Sequence, residues 1–126
     1  MTRSVTLVLL VLLTVIAIVA TAGSAAAKIT SCSTAKDKTK LGATTVTRVK
    51  VVRMSCKEGK KVIKAFHACR LAAGGPRGRC VKKVMGFSCL EERQTPTDDF
   101  LTARARCSKG QINPKVVDFN YTQQGS

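Results

Sequence analysis

Apolar residues recur with the period of an α-helix between residues 56 and 73, and lysines occupy the opposite side. This division is typical of an amphipathic helix. The apolar side consists of Val62, Ile63, Phe66, Cys69 and Ala73. Ser55 and Glu58 form the sequence of a capping box, in which each side chain accepts a hydrogen bond from the other residue's amide. Gly74-Gly75-Pro76 is expected to end the helix, because glycine adopts the left-handed cap and proline cannot continue a helix.

Four other segments show a period of two, which indicates β-strands. Residues 44–54 are rich in β-branched residues, which favours a strand. Their alternation is imperfect, so the pattern does not decide which of their side chains point to the core. Residues 80–92, 100–107 and 115–122 each place apolar side chains on one face, as in an antiparallel sheet covered on one side. The inward residues expected in the first of these are Val81, Met85, Phe87 and Cys89. The sequence therefore predicts an α+β domain, residues 44–126, with one amphipathic helix on a small, mostly antiparallel sheet (β-α-β-β-β).

The N-terminal part lacks this patterning. Residues 5–22 are apolar apart from three threonines, and they lie between Arg3 and Ala25-Ala26-Ala27. Residues 1–27 are predicted to be a cleaved signal peptide, because they have a positively charged start, an apolar core and an Ala-x-Ala cleavage site. The alternative is an uncleaved membrane anchor. Residues 28–43 are polar, and we expect an irregular arm held only through Cys32. The mature protein is then secreted or associated with the cell envelope.

All six cysteines follow the leader, with no C-x-x-C spacing and only one histidine in the chain. Metal and redox sites need closer cysteine pairs, so we expect no metal, no other cofactor and three disulfides that staple the fold. Strand direction favours one set of pairs. If the first strand runs up, the helix runs down, and the next three strands run up, down and up. This arrangement favours Cys69–Cys80, Cys56–Cys89 and Cys32–Cys107.

Several short motifs carry a resemblance to other proteins. They are Ser55-Cys56, Gly86-Phe87-Ser88-Cys89, Arg106-Cys107-Ser108-Lys109-Gly110, Val117-Asp118-Phe119-Asn120-Tyr121, and the pair Cys69 and Cys80 around the GGPRGR segment. Over residues 46–122 the chain resembles uncharacterised small exported, cysteine-containing proteins of actinobacteria. The resemblance implies a similar export route and an α+β fold, and it attaches no activity to the chain.

Positive charge dominates the composition, with 22 Lys and Arg residues against 7 Asp and Glu and a formal net charge of +15 at pH 7. One helix face and the segment beyond it supply the candidate anion-binding residues, Lys57, Lys60, Lys61, Lys64, Arg77 and Arg79. An anionic envelope polymer or a lipid surface is the expected partner, and no protein partner is indicated. The five aromatic residues fall mostly at inward positions, so specific nucleic-acid binding is not expected. The alternative is that the charge serves only solubility.

Two other functions compete with a binding role. Residues 74–79, between Cys69 and Cys80, form a basic loop that would present Arg77 or Arg79 to the acidic pocket of a trypsin-like protease. A helix on an antiparallel sheet also resembles secreted microbial ribonucleases, which use glutamate, arginine and histidine.

The residues available for ribonuclease chemistry are His67, Glu91, Glu92, Arg104 and Arg106, but no ribonuclease motif accompanies them. His67 falls between the apolar and lysine sides of the helix, where a structural boundary residue is expected. We therefore predict a secreted, cationic, disulfide-stabilised binding or envelope-associated module without catalytic activity. A protease inhibitor is the second reading and a small ribonuclease-like hydrolase the third.

Overall fold

The computed structural model describes residue 23 and residues 25–125, so the expected signal peptide lies almost entirely outside the described residues. The strands are β1 (Ile29–Ser31), β2 (Thr45–Val52), β3 (Ser88–Arg93), β4 (Phe100–Lys109) and β5 (Lys115–Gln124). The helix α1 (Cys56–Gly74) lies between β2 and β3 and is followed by a short 3₁₀ turn, Gly75–Arg77. Among the described residues, no helix has the length and apolar character needed to cross a bilayer.

The strands form one antiparallel sheet in the order β1-β2-β5-β4-β3, with α1 packed beside β2 and β5. The predicted α+β class, one helix on an antiparallel sheet with disulfides, is confirmed. The N-terminal arm expected over residues 28–43 is irregular over residues 32–43, as predicted, but residues 29–31 form a strand. Ile29–Ser31 pairs with the end of β2, and Leu41 and Ala43 are buried in the core. The arm is therefore part of the folded domain and is not held through Cys32 alone.

A bulge explains the imperfect alternation of β2. The pairing of β2 with β5 shifts between Thr47 and Lys50, and Arg48 has a φ of 51°. The extra residue of a bulge reverses the inward parity of the strand. Val46 on one side of the bulge and Val51 on the other therefore both reach the core, although their positions differ in parity.

The strand expected at residues 80–92 begins later than its pattern indicated. Met85 and Gly86, with φ of 51° and 81°, reverse the chain between Val84 and Phe87, whose backbones hydrogen-bond to each other. Val84 and Phe87 are buried by this turn, whereas Val81 and Met85, which were expected inside, are exposed. The strand that follows, β3, runs opposite to β2 instead of in the same direction.

The helix begins and ends where the sequence indicated. The Glu58 amide donates to Ser55 Oγ at 3.1 Å, which confirms one half of the capping box. The Glu58 carboxylate instead accepts from Lys115 Nζ at 3.0 Å. At the other end, Gly75 has a φ of 65° and its amide donates to the Leu71 carbonyl oxygen. Glycine takes this left-handed conformation without a steric cost, so it stops α1 where the sequence predicted.

The cysteines pair consecutively along the chain, as Cys32–Cys56, Cys69–Cys80 and Cys89–Cys107, and no free cysteine remains among the described residues. The Cys69–Cys80 prediction is confirmed, and the predictions of Cys56–Cys89 and Cys32–Cys107 are wrong. The error follows from the direction of β3. Cys89 and Cys107 face each other in register on adjacent strands, with their Cα atoms 4.0 Å apart. Three disulfides indicate that the protein folds in an oxidising compartment.

Candidate functional site

The lysine face of α1 is only partly available to a ligand. Lys57, Lys61 and Lys64 are exposed, as the helical pattern predicted. Lys60 is engaged within the chain, because its Nζ lies 2.8 Å from Asp37 Oδ2 and donates to the Ser33 carbonyl oxygen at 2.7 Å. The face therefore presents three lysines and not the expected four.

The two arginines of the predicted anion site lie at the other end of the helix and also have partners. Arg77 Nη2 donates to the carbonyl oxygens of Thr97 and Asp98, at 3.0 Å and 2.8 Å. Arg79 Nη1 lies 3.5 Å from Glu91 Oε2. At a rise of about 1.5 Å per residue, α1 separates Lys57 from this segment by roughly 25 Å. The six predicted residues consequently do not form one cluster.

The segment between α1 and Cys80 is held by two arginines, of which Arg70 is buried and Arg93 is partly buried. Arg70 Nη1 donates to the Pro76 carbonyl oxygen, and Arg93 donates to the carbonyl oxygens of Arg77 and Gly78. Gly78 packs closely enough that an added Cβ would approach the Gly74 nitrogen to 2.7 Å. The basic loop expected at residues 74–79 is thus held by hydrogen bonds to three of its carbonyl groups.

A second cationic surface lies on the face of the sheet that α1 does not cover, here called the open face. A depression of about 390 Å³ lies on it. Its lining residues are Ile29, Arg48, Lys50, Val52, Arg104, Arg106, Val116, Asp118 and Asn120. Four of these nine side chains are cationic and one is anionic, so the depression carries a net positive charge.

Strand register positions the charges of the open face. Asp118 on β5 pairs with Lys50 on β2 and with Arg106 on β4, so the three residues form one row across the central strands. Arg104 binds Asp118 through two bonds, from Nε to Oδ1 at 3.1 Å and from Nη2 to Oδ2 at 2.6 Å. This hydrogen bonding, together with the Asp118 charge, raises the pKa of Arg104. Within the described chain, Arg48, Lys50 and Arg106 form no ion pair with a carboxylate.

The sequence contained part of this signal. Arg104 and Arg106 alternate with inward alanines in the pattern of β4, and both are exposed as that pattern implies. Periodicity does not show that Arg48 and Lys50 are their neighbours, because it does not contain the strand order. The order places β5 between β2 and β4, and its short Asp118 and Asn120 side chains lie between the longer basic ones.

The residues considered for ribonuclease chemistry are divided between the two faces of the sheet. Glu92, Arg104 and Arg106 line depressions on the open face. Glu91 lies on the inner side, where it accepts a hydrogen bond from the Tyr121 hydroxyl. His67, expected at a boundary, is fully buried on the same inner side.

His67 belongs to a buried polar cluster between α1 and the sheet. Its Nδ1 accepts from Arg70 Nε at 3.3 Å, and its Nε2 has no hydrogen-bond partner among the described residues. Burial, with a smaller effect from the Arg70 charge, lowers the pKa of His67 to about 3.

The Arg70 guanidinium also donates to Gln123 Oε1 at 2.9 Å and lies 4.8 Å from the centre of the Tyr121 ring. Burial and the hydrogen bond to Glu91 raise the pKa of Tyr121. The cluster joins α1 to β5 through the contacts of His67 and Arg70 with Tyr121 and Gln123.

No group of His, Cys, Asp and Glu side chains within residues 25–125 has the arrangement of a metal site. No protein-family model, curated protein or solved structure matches this chain. The candidate site must therefore be interpreted from its own geometry.

Proposed function

We propose that the protein is an exported, envelope-associated module that binds an anionic phosphodiester polymer on the open face of its sheet. The observation that carries the proposal is the row of Lys50, Asp118 and Arg106, with Arg104 held in place by the same aspartate. An arginine already fixed by a carboxylate loses little side-chain freedom when a ligand binds, which favours binding.

The spacing of the charges favours an extended ligand. Alternate residues on a strand are about 7 Å apart, and strands are about 4.8 Å apart. Arg104 and Arg106 are thus about 7 Å apart at the backbone, and Lys50 and Arg106 about 10 Å. A polymer with regularly repeated phosphates contacts several of these cations together, whereas a single small anion does not.

The aromatic residues favour a polymer without bases over a nucleic acid. Single-stranded nucleic acids bind by stacking bases on exposed aromatic side chains. Phe66, Phe87, Phe119 and Tyr121 are buried, and only Phe100 is exposed, at the start of β4. The open face therefore offers charge but little surface for stacking.

Two variants with equal charge test the proposal. The first changes Arg48, Lys50 and Arg106 to glutamine, and the second changes Lys57, Lys61 and Lys64 to glutamine. Each removes three exposed cations that form no ion pair with a carboxylate in the described structure. Binding of a polyol-phosphate polymer is measured at several salt concentrations. We expect the open-face variant to reduce the slope of the log binding constant against log salt concentration by about 2, because each lost phosphate contact contributes roughly 0.7 to that slope. The helix variant should change it much less.

Three outcomes would contradict the proposal. Equal losses in the two variants would show that only net charge matters, and the protein would have no site. A larger loss in the helix variant would assign binding to the lysine face that the sequence predicted. Preference for single-stranded DNA over the base-free polymer would identify a nucleic-acid ligand and contradict the proposal.

The second candidate function is protease inhibition through Arg79. Its side chain is 58% exposed in a segment whose neighbouring carbonyl groups are held by Arg70 and Arg93. A fixed loop loses little entropy on binding. Arg77 is less suited, because its guanidinium is bound to two carbonyl oxygens. Inhibition of trypsin at equimolar dose, lost in Arg79→Ala, would support this function.

A further inference from the structure

One end of the sheet exposes apolar side chains that the described chain does not cover. This surface, here called the hairpin end, contains the start of β1, the end of β2, the turn at residues 84–87 and the β4–β5 hairpin loop, residues 110–114. Register places Ile29 beside Val52 at this edge. Lys109 Nζ donates to the Met85 carbonyl oxygen at 3.3 Å, which joins the turn to the end of β4.

Three apolar residues project from the hairpin end. Ile112 is 88% exposed in the hairpin loop, Ile29 is 64% exposed and Met85 is 51% exposed. They lie at intervals along the edge from β1 to β3, a distance of about 20 Å for four strand spacings. Three separated side chains do not bury the roughly 800 Å² per partner that a standard protein interface needs. Their spacing is better suited to a broad surface than to a pocket or a second copy of the chain.

Positive charge surrounds these apolar residues. Exposed cations flank them in sequence or register, since Lys28 precedes Ile29, Arg53 follows β2, and Lys109 pairs with Lys115 at the base of the hairpin loop. Glu58, at the start of α1, is neutralised by its ion pair with Lys115 at 3.0 Å. Apolar side chains surrounded by lysines are the arrangement that binds at the interface of an anionic bilayer, where apolar groups enter the acyl boundary and cations contact the headgroups.

The N-terminal sequence meets the domain at the same end. The apolar residues 5–22 are followed by only six residues before β1 begins. Six residues span at most about 20 Å, so a membrane that holds the apolar segment would lie next to the hairpin end.

We propose that the hairpin end docks on an anionic lipid surface, with Ile112 and Met85 at the level of the headgroups and the surrounding lysines against them. The proposal does not depend on polymer binding, because Ile112 and Met85 do not line the open-face depression, although Ile29 belongs to both surfaces.

Fluorescence provides a direct test, since the full chain contains no tryptophan. Ile112→Trp introduces the only tryptophan at the proposed contact, and Leu90→Trp introduces it at another exposed position, 76% exposed on the open face. Each full-length variant is mixed with vesicles of phosphatidylglycerol or phosphatidylcholine that contain brominated lipid. We expect a blue shift and quenching for Ile112→Trp with phosphatidylglycerol only, and neither for Leu90→Trp. The signal should fall at high salt.

The readout remains informative whether or not the leader is retained, because it reports the depth of position 112 and not the attachment of the chain. No change at position 112 overturns the proposal. Equal quenching at positions 90 and 112 also overturns it, since it would show non-specific adsorption. A shift with soluble polyphosphate but none with vesicles would identify a polymer as the occupant.

A second comparison separates lipid docking from polymer binding. Placed in the Ile112→Trp chain, the open-face variant at residues 48, 50 and 106 should leave quenching by phosphatidylglycerol vesicles unchanged. Abolished quenching would mean that the lipid contact runs through the open face, and the proposed hairpin-end contact would be wrong.

Discussion

Acidification should destabilise this protein through His67 in particular. The imidazole is fully buried, its ring centre lies 4.7 Å from that of Tyr121, and its Nδ1 accepts from Arg70 Nε. A proton on the ring would place a second positive charge beside Arg70 and would convert Nδ1, which accepts the hydrogen bond from Arg70 Nε, into a donor. The folded protein therefore keeps His67 neutral.

The size of the effect follows from the two pKa values. The pKa of His67 is about 3 in the folded protein against 6.5 for an unperturbed histidine. The contribution to stability is present above pH 6.5 and is lost as pH falls, because only the unfolded chain binds the proton between those values. The loss is about 1.4 kcal/mol per pH unit in that range, which gives roughly 2 kcal/mol between pH 7 and pH 5.

Urea unfolding at pH 7 and pH 5, with the disulfides intact, measures this loss. His67→Phe is the control, since it retains a ring of similar size and cannot be protonated. Loss of the Arg70 contact lowers its stability at both pH values, so the comparison uses only the difference between them. We expect the native chain to lose about 2 kcal/mol more than the variant on acidification. Equal losses would refute the assignment of a buried, neutral histidine.

Two further changes test the covalent and steric features of the fold. Replacing both Cys89 and Cys107 by alanine should lower the free energy of unfolding by about 3 kcal/mol in denaturant titration, because an 18-residue loop is no longer closed. A loss below about 1 kcal/mol would show that the strand pairing suffices without the disulfide. Gly78→Ala should cost more than about 2 kcal/mol, because the new Cβ would collide with the Arg70 carbonyl oxygen. Gly74→Ala, where nothing lies within 4 Å, should change stability by less than about 0.5 kcal/mol, and equal effects would contradict the steric explanation.

Helix ends and the outward side of a strand were predictable, because they depend on residues that are close in sequence. The Ser55 cap, the Gly75 stop and the outward parity of Arg104 each depend on residues close in sequence, and each is found as expected. The class of fold followed from two clear periods. The inward face of β2 was not predictable, because nothing in its composition marks Arg48 as the position of a bulge.

The failures concern relations between distant segments. Alternation in residues 80–92 concealed the reversal at Met85 and Gly86, and the wrong direction for β3 then produced two wrong disulfides. Cys89 and Cys107 are equally distant from residue 98, the centre of the observed β3–β4 hairpin, so the exact position of that turn decides their pairing. The open-face site required the strand order, which periodicity does not contain.

The consecutive pairing of the cysteines bears on how the chain acquires its bonds. A chain that enters an oxidising compartment with its amino end first presents Cys32 and Cys56, then Cys69 and Cys80, and finally Cys89 and Cys107. Each partner is the next cysteine to emerge, so no correct bond needs to be reopened and disulfide isomerisation is not required. The sheet has the opposite requirement, because its central strand β5 is the last of the five along the chain. The strands on either side of it therefore stay unjoined until residues 115–124 have been made. Oxidation can thus finish before the sheet closes, and a chain truncated before Lys115 would be fully oxidised but would lack the strand that joins its two halves.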